Sequence, residues 1–255
     1  MKHASLPALA LFALAALATT ARAGQAIDGQ VTNFKKGEAG WVGRVGPNGS
    51  GETWVDDTMG KKLPSLHTKY DDFLKNGLRF YNDTRAWKGD YSVVPSFSFS
   101  VDVNAITVQE GQGYITRDVM VYFLDFKNPP AGYDSISVGT RIGTLEMGQG
   151  WEHWSITVPD TSSLTLPDGW VGTGATDDQG NSILPPGRTF AEVMSHVGEI
   201  AIQTVPQSNK LVLDYFDVAI DNPAISAVCA NRVQKPFSVD KDAQPSAKGS
   251  PFQPC

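Results

Sequence analysis

Ser96-Phe97-Ser98-Phe99-Ser100-Val101-Asp102-Val103 alternates polar and apolar residues without a break. Successive side chains of a strand point to opposite faces, so this stretch is a β-strand with one face in a core and one in water. Working outward, residues 118–126 (DVMVYFLDF) are almost all apolar or aromatic, as a central strand of a sandwich requires. Residues 135–142 alternate again, and Trp154, Ile156 and Val158 fall on one face of the next run. His153 then faces the other way. Residues 199–205 and 211–220 complete a set of at least seven expected strands, separated by Asn128-Pro129-Pro130, Gly148-Gln149-Gly150 and Pro185-Pro186-Gly187. Many short strands with Gly/Pro turns give a mostly β chain, a single β-sandwich of jelly-roll type.

One helix is expected in this β background. Thr189 is placed as N-cap with Glu192 three residues on, and Phe190, Val193, Met194 and Val197 form one apolar stripe, with Gly198 as the stop. A weaker helix or turn is expected over residues 69–75.

The chain ends set the boundaries. Lys2 and His3 precede an almost wholly apolar stretch over residues 6–17, and Ala21-Arg22-Ala23 supplies small residues for a cut before Gly24. These are the parts of a secretory signal, and the apolar stretch is short for a membrane span. Residues 1–23 are therefore expected to be a signal peptide, residues 24–228 one β-sandwich domain, and residues 229–255, rich in Pro, Ser, Gln, Lys and Asp, a flexible tail. The expected location is secreted or periplasmic, with no membrane span after cleavage. The only cysteines, Cys229 and Cys255, fit a disulfide in an oxidising compartment. The net charge of −6 argues against a nucleic-acid partner, whose phosphates need Lys and Arg.

The order of the pieces carries a resemblance. Trp87-Lys88-Gly89-Asp90-Tyr91 precedes the first alternating strand. Gly150-Trp151-Glu152-His153-Trp154-Ser155-Ile156 follows the hydrophobic one. Then come Thr189-Phe190-Ala191-Glu192-Val193-Met194, Glu199-Ile200-Ala201-Ile202 and Leu213-Asp214-Tyr215-Phe216-Asp217-Val218. Over about residues 75–220 this resembles the laminin B (laminin IV type A) domain and, more broadly, the galactose-binding-like jelly rolls found in carbohydrate-binding modules. The usual Leu-Asp-Asn-Val of the laminin form is replaced by the longer run 213–218, and the 171–187 loop is long. The resemblance implies that Trp151, Trp154 and Trp170 are core or corner residues. It also implies a structural calcium ion joining the first and last strands, with Asp28 and either Asp214 or Asp217 as ligands. The odd spacing of Asp214 and Asp217 puts them on opposite strand faces, so at most one serves a given site.

Aromatic residues give the best binding clue, because a sugar ring stacks its C–H face on Trp or Tyr while a few polar groups fix its orientation. Trp41 and Trp54 flank the Gly-rich polar segment 43–51, and Trp87 lies in Arg85-Ala86-Trp87-Lys88-Gly89-Asp90. These three are the expected platforms. Arg141, on an alternating strand beside Thr140, is the expected polar partner. No G-x-S-x-G nucleophile elbow is present, and His67, His153 and His196 read as exposed or satisfied histidines. Asp56-Asp57, Asp71-Asp72 and Asp177-Asp178 read as solvated turn carboxylates rather than the pair a glycosidase sets across a cleft. The reading is an exported, non-catalytic binding module for a carbohydrate or an extracellular or envelope polymer. Its alternatives are a polysaccharide-active hydrolase or lyase, and a structural or adhesion protein that binds a protein partner.

Overall fold

The computed structural model describes residues 29–43, 51–72, 77–127, 129–205 and 214–227. The expected signal peptide and tail, Asp28, Cys229 and Cys255 lie outside them. The strands are β1 (Gln30–Val31), β2 (Trp41–Gly43), β3 (Gly51–Asp56), β4 (Ser65–Asp72), β5 (Arg79–Asn82), β6 (Phe97–Glu110), β7 (Gly113–Tyr114), β8 (Arg117–Asp125), β9 (Ile136–Leu145), β10 (Trp151–Val158), β11 (Trp170–Thr173), β12 (Ala175–Thr176), β13 (Ser182–Ile183), β14 (Glu199–Thr204) and β15 (Asp214–Ala227). A helix, α1 (Phe190–Met194), precedes β14.

Two antiparallel sheets stack as a sandwich. The first runs β10-β6-β15-β4-β3, with β1 beside β15 and β7 beside β6. The second runs β11-β9-β8-β14-β5-β2, and β12–β13 form a separate ribbon. The alternating stretch that opened the sequence reading is the start of β6, a 14-residue strand second from the edge of the first sheet. Phe97, Phe99, Val101 and Val103 are buried, and they meet Val119, Val121 and Phe123 of β8 across the core. β15 is equally long, so it takes β4 along Asp214–Ile220 and β1 at Ala224–Ile225. At one end Arg117 of β8 crosses from the second sheet to the first, where its guanidinium meets Glu110 of β6 at 2.9 Å and Asp214 of β15 at 3.2 Å.

The helix forms at the expected place but is shorter than the stripe. Thr189 Oγ1 accepts the Glu192 amide at 3.1 Å, and Phe190, Val193, Met194 and Val197 are all buried. The helix stops at Met194 with Ser195 as its C-cap, so Gly198 is not its terminator. A Cβ at Gly198 would meet the half-exposed Phe126 ring at 2.8 Å, so glycine there spares that ring a shift. The helix or turn expected over residues 69–75 is corrected as well: Lys69, Tyr70 and Asp71 are in β4, whose Leu66, Thr68 and Tyr70 face the core while His67 and Lys69 face outward. Among the described residues no helix is long and apolar enough to cross a membrane.

Candidate functional site: the outer face of the first sheet

Residues directly opposite each other on neighbouring strands share a sheet face. Trp54 of β3 pairs with His67 of β4, His67 with Ala219 of β15, Ala219 with Asn104 of β6, and Asn104 with Trp151 of β10. One row thus crosses the outer face with a tryptophan at each end, about 19 Å apart at the usual strand spacing. On one side of this row stand Asp56, Asp102 and His153; on the other stand Glu52, Lys69, Asp217 and Thr107, then Tyr215 and Gln109. Trp54, Trp151, Tyr215, Asn104, Thr107 and Gln109 are all partly exposed.

The segment 57–64 between β3 and β4 folds back over the Asp56–Asp102 side and is pinned there. Ser65 Oγ donates to the Met59 carbonyl at 2.7 Å, the Lys62 amide donates to Asp221 Oδ2 at 3.0 Å, and Lys61 Nζ meets Asp102 Oδ1 at 2.9 Å. Asp102 also takes the Asn222 amide at 3.0 Å and faces His153 Nδ1 at 2.9 Å. Burial works to raise the Asp102 carboxyl, but the Lys61, Asn222 and His153 contacts outweigh it and hold the group below its ordinary range. At Asp221 burial wins and pushes the carboxyl up. The pinned segment covers one flank of the face, and among the described residues none covers the Tyr215 flank.

His67 sits at the junction. Its Nδ1 is 3.0 Å from Asp56 Oδ2 and its Nε2 is 2.6 Å from Asp217 Oδ1. Asp56 Oδ1 is taken by three donors, the Thr58 hydroxyl at 2.7 Å, the Thr58 amide at 2.8 Å and the Met59 amide at 3.2 Å. Burial favours the neutral acid at Asp56, yet these bonds and His67 outweigh it and bring the carboxyl down to about 2. Asp217 Oδ2 faces Lys69 Nζ at 3.4 Å, and that ammonium lies over the Tyr215 ring, 5.8 Å from its centroid. The Trp54 indole lies on the imidazole of His67, with ring centroids 4.2 Å apart and 34° between planes. The imidazole thus sets the tilt of the Trp54 ring.

Of the residues expected to bind ligand, the structure brings only Trp54 to this face. Trp41 and Trp87 are corrected to core residues: they are 0% and 2% exposed and pack edge to face at 5.0 Å, with no ring surface open to a sugar. Trp41 is on β2 of the second sheet and Trp54 on β3 of the first, so the two flanking tryptophans part company. Arg141 lies on the outer face of the second sheet, the opposite side of the sandwich, where it is paired with Asp118 at 2.8 Å. Asp214 points inward to Arg117 and Asp217 outward to His67, so these two do not converge on one cation. Among the described residues no group of three or more His, Cys, Asp and Glu is placed to hold a metal ion.

Two aromatic residues of this face were not among the expected ligand binders. Trp151 is partly exposed rather than core, unlike Trp154, which is 7% exposed and donates to Glu152 at 3.0 Å. The signal for it was present: a residue three before Trp154 shares the face of His153, not of Trp154. Tyr215 had no such local signal.

No protein-family model matches the chain, and no curated protein matches it. Solved structures do show a likeness. The family 11 carbohydrate-binding module from Clostridium thermocellum, in complex with a β-1,3-1,4-mixed-linked tetrasaccharide, is 12% identical with a TM-score of 0.45, over 79% of this chain and 96% of that one. The CBM22-1 xylan-binding domain from Paenibacillus barcinonensis Xyn10C is 13% identical with a TM-score of 0.36, over 82% of this chain and 99% of that one. An exo-β-agarase is 12% identical with a TM-score of 0.46, over 78% of this chain but 25% of that one. The likeness is one of fold, a mostly β sandwich of two antiparallel sheets.

Proposed function

We propose that this protein is a non-catalytic glycan-binding module that uses the outer face of the first sheet. The observation that carries the reading is the cross-strand row with Trp54 and Trp151 at its two ends, joined by Tyr215 on the open flank. Aromatic rings presented on a flat polar face suit the C–H faces of sugar rings, and Asn104, Thr107 and Gln109 stand between them to meet hydroxyls. The neighbouring acid–histidine cluster is saturated by its own contacts, which suits a scaffold rather than a proton relay. The export signal and the Cys229–Cys255 bond belong to this proposal: the module works outside the cytoplasm on a matrix or envelope polymer. Kinship with the laminin B group, read from the order of strands and helix, is proposed with it.

Affinity electrophoresis of the full chain through gels holding a panel of neutral and acidic polysaccharides tests the reading. At least one polysaccharide should retard the protein. Trp54→Ala and Trp151→Ala should each weaken binding about 30-fold, the loss of about 2 kcal/mol typical of a buried aromatic anchor. Arg141→Ala, on the far side, should bind as the parent does. Retention by no member of the panel, or full retention of Trp54→Ala, refutes the proposal.

A further inference from the structure

Trp54 does not rest on an apolar floor. It rests on an imidazole whose two nitrogens both face carboxylates, and that fixes the protonation the geometry needs. Asp56 already receives three donors on one oxygen, so it is the ionised acceptor for His67 Nδ1–H on the other. Asp217 has one oxygen on the Lys69 ammonium and the other 2.6 Å from Nε2. A neutral imidazole has one donor and one acceptor, whereas an imidazolium has two donors. Only the imidazolium satisfies both carboxylates; the neutral ring would set a lone pair against one of them at a position 6% exposed, where water is a poor substitute. The charged ring also attracts the electron-rich face of the indole above it.

We propose that His67 is the positioning residue for the Trp54 platform and holds it in register only while both ring nitrogens carry protons. The idea rests on the glycan-binding reading for its functional consequence, but not for its structural one. The charged groups around the ring agree with it. From β3 come Asp56 and, further out, Glu52; from β15 comes Asp217; Lys69 on the same strand is engaged by Asp217; Lys61 of the overlying segment is engaged by Asp102 of β6. Among the described residues no neighbouring cation is left to replace the imidazolium when it loses its proton. On deprotonation the ring must turn away from one carboxylate, and the indole stacked on it must follow. Binding through Trp54 is therefore stronger with the doubly protonated ring than with the singly protonated one.

The test has a ligand-free arm and a glycan arm, both on the full chain. In the first, NMR follows the His67 ring nitrogens and the Trp54 indole N–H from about pH 5 to about pH 8, the range in which histidine switches, and on to about pH 9. The two signals should move together in one single-proton step. In Asp217→Asn the side-chain amide can donate to Nε2 of a neutral ring, so the Trp54 signal should stay in place while the ring nitrogens titrate. A Trp54 signal that ignores the His67 titration in the parent, or one that moves unchanged in Asp217→Asn, overturns the proposal. In the second arm, affinity for the retaining polysaccharide should fall about tenfold per pH unit above the step in the parent, the slope for one linked proton, and hold level in Asp217→Asn. Affinity in the parent that is flat across the step overturns it too. Failure of the glycan reading looks different: no polysaccharide binds at any pH while the ligand-free coupling persists.

Discussion

Asp125→Asn should make the protein more stable at neutral pH, and the gain should disappear in acid. Asp125 closes β8 beneath α1 and is 1% exposed. Its Oδ1 accepts the Lys127 amide at 2.7 Å, but its Oδ2 is buried without a hydrogen-bond partner, with His196 Nδ1 4.0 Å away. Burial pushes the carboxyl above 3.8, and the Lys127 amide, His196 and Arg188 offset only part of this. The folded state thus holds the Asp125 proton more tightly than the unfolded chain does. The ionised group costs stability above its folded pKa, and the cost fades as the pH falls toward 3.8. Asparagine has the same shape, keeps the acceptor for Lys127 and carries no charge. An unsatisfied buried acceptor costs about 1–3 kcal/mol and each unit of pKa shift about 1.4 kcal/mol, against which the new amide N–H groups need partners of their own. A net gain of about 1 kcal/mol is expected, which for a domain of this size raises Tm by about 2–4 °C. Thermal melts of both proteins at neutral pH and below 3.8 measure it. A lower Tm for Asp125→Asn at neutral pH, or a gain as large in acid as at neutrality, refutes the reasoning.

Four further substitutions probe the frame of the sandwich. A Cβ at Gly143 would sit 2.4 Å from the Trp154 indole, which is packed against the core, so Gly143→Ala should cost about 1–3 kcal/mol in urea unfolding, while Gly198→Ala should cost much less because Phe126, its obstacle, is half exposed and free to swing; equal costs would show that the indole yields as readily as the surface ring. Arg117 is 4% exposed and its guanidinium joins the two sheets through Glu110 and Asp214, so Arg117→Ala should cost about 3–5 kcal/mol and Arg117→Lys less, and a loss below about 1 kcal/mol for the alanine variant would show that the two carboxylates are solvated in the folded state.

The core of the sandwich was legible because its strands carry their own burial pattern. β6, β8, β9, β14 and β15 each alternate or run apolar over six residues or more and supply the middle of both sheets, and β10 alternates over Trp154–Val158 at the edge of the first. β4 hid because one of its inward residues is Thr68, a polar side chain at 0% exposure whose hydroxyl is satisfied by Thr53 at 2.9 Å. A threonine facing inward erases the two-residue rhythm, and Lys69 and Asp71 on the outward positions then read as a polar turn. The site was harder still. Trp41 and Trp54 have almost the same local setting, each beside the Gly43–Gly51 segment, yet one is sealed and the other stands on the surface.

What separates Trp41 from Trp54 is pairing with distant strands. β2 joins β5 at the edge of the second sheet and β3 joins β4 at the edge of the first, so the chain changes sheet between the two tryptophans. At the end of β2 the backbone lies so close to β4 that a Cβ at Gly43 would meet the Thr68 hydroxyl at 1.9 Å. Once β3 lies on β4, the face of Trp54 follows from the face of His67, and that follows from Leu66 and Tyr70 being core. The position of the Trp54 ring is thus decided by the hydrophobic residues of its neighbour and not by anything adjacent to the tryptophan. Trp151 is the opposite case, since its own strand fixes its face: Trp154, Ile156 and Val158 point one way, so Trp151 and His153 point the other. Residues on a strand with a strong apolar face are assigned by counting, and residues on weakly patterned edge strands are assigned only through the partner strand.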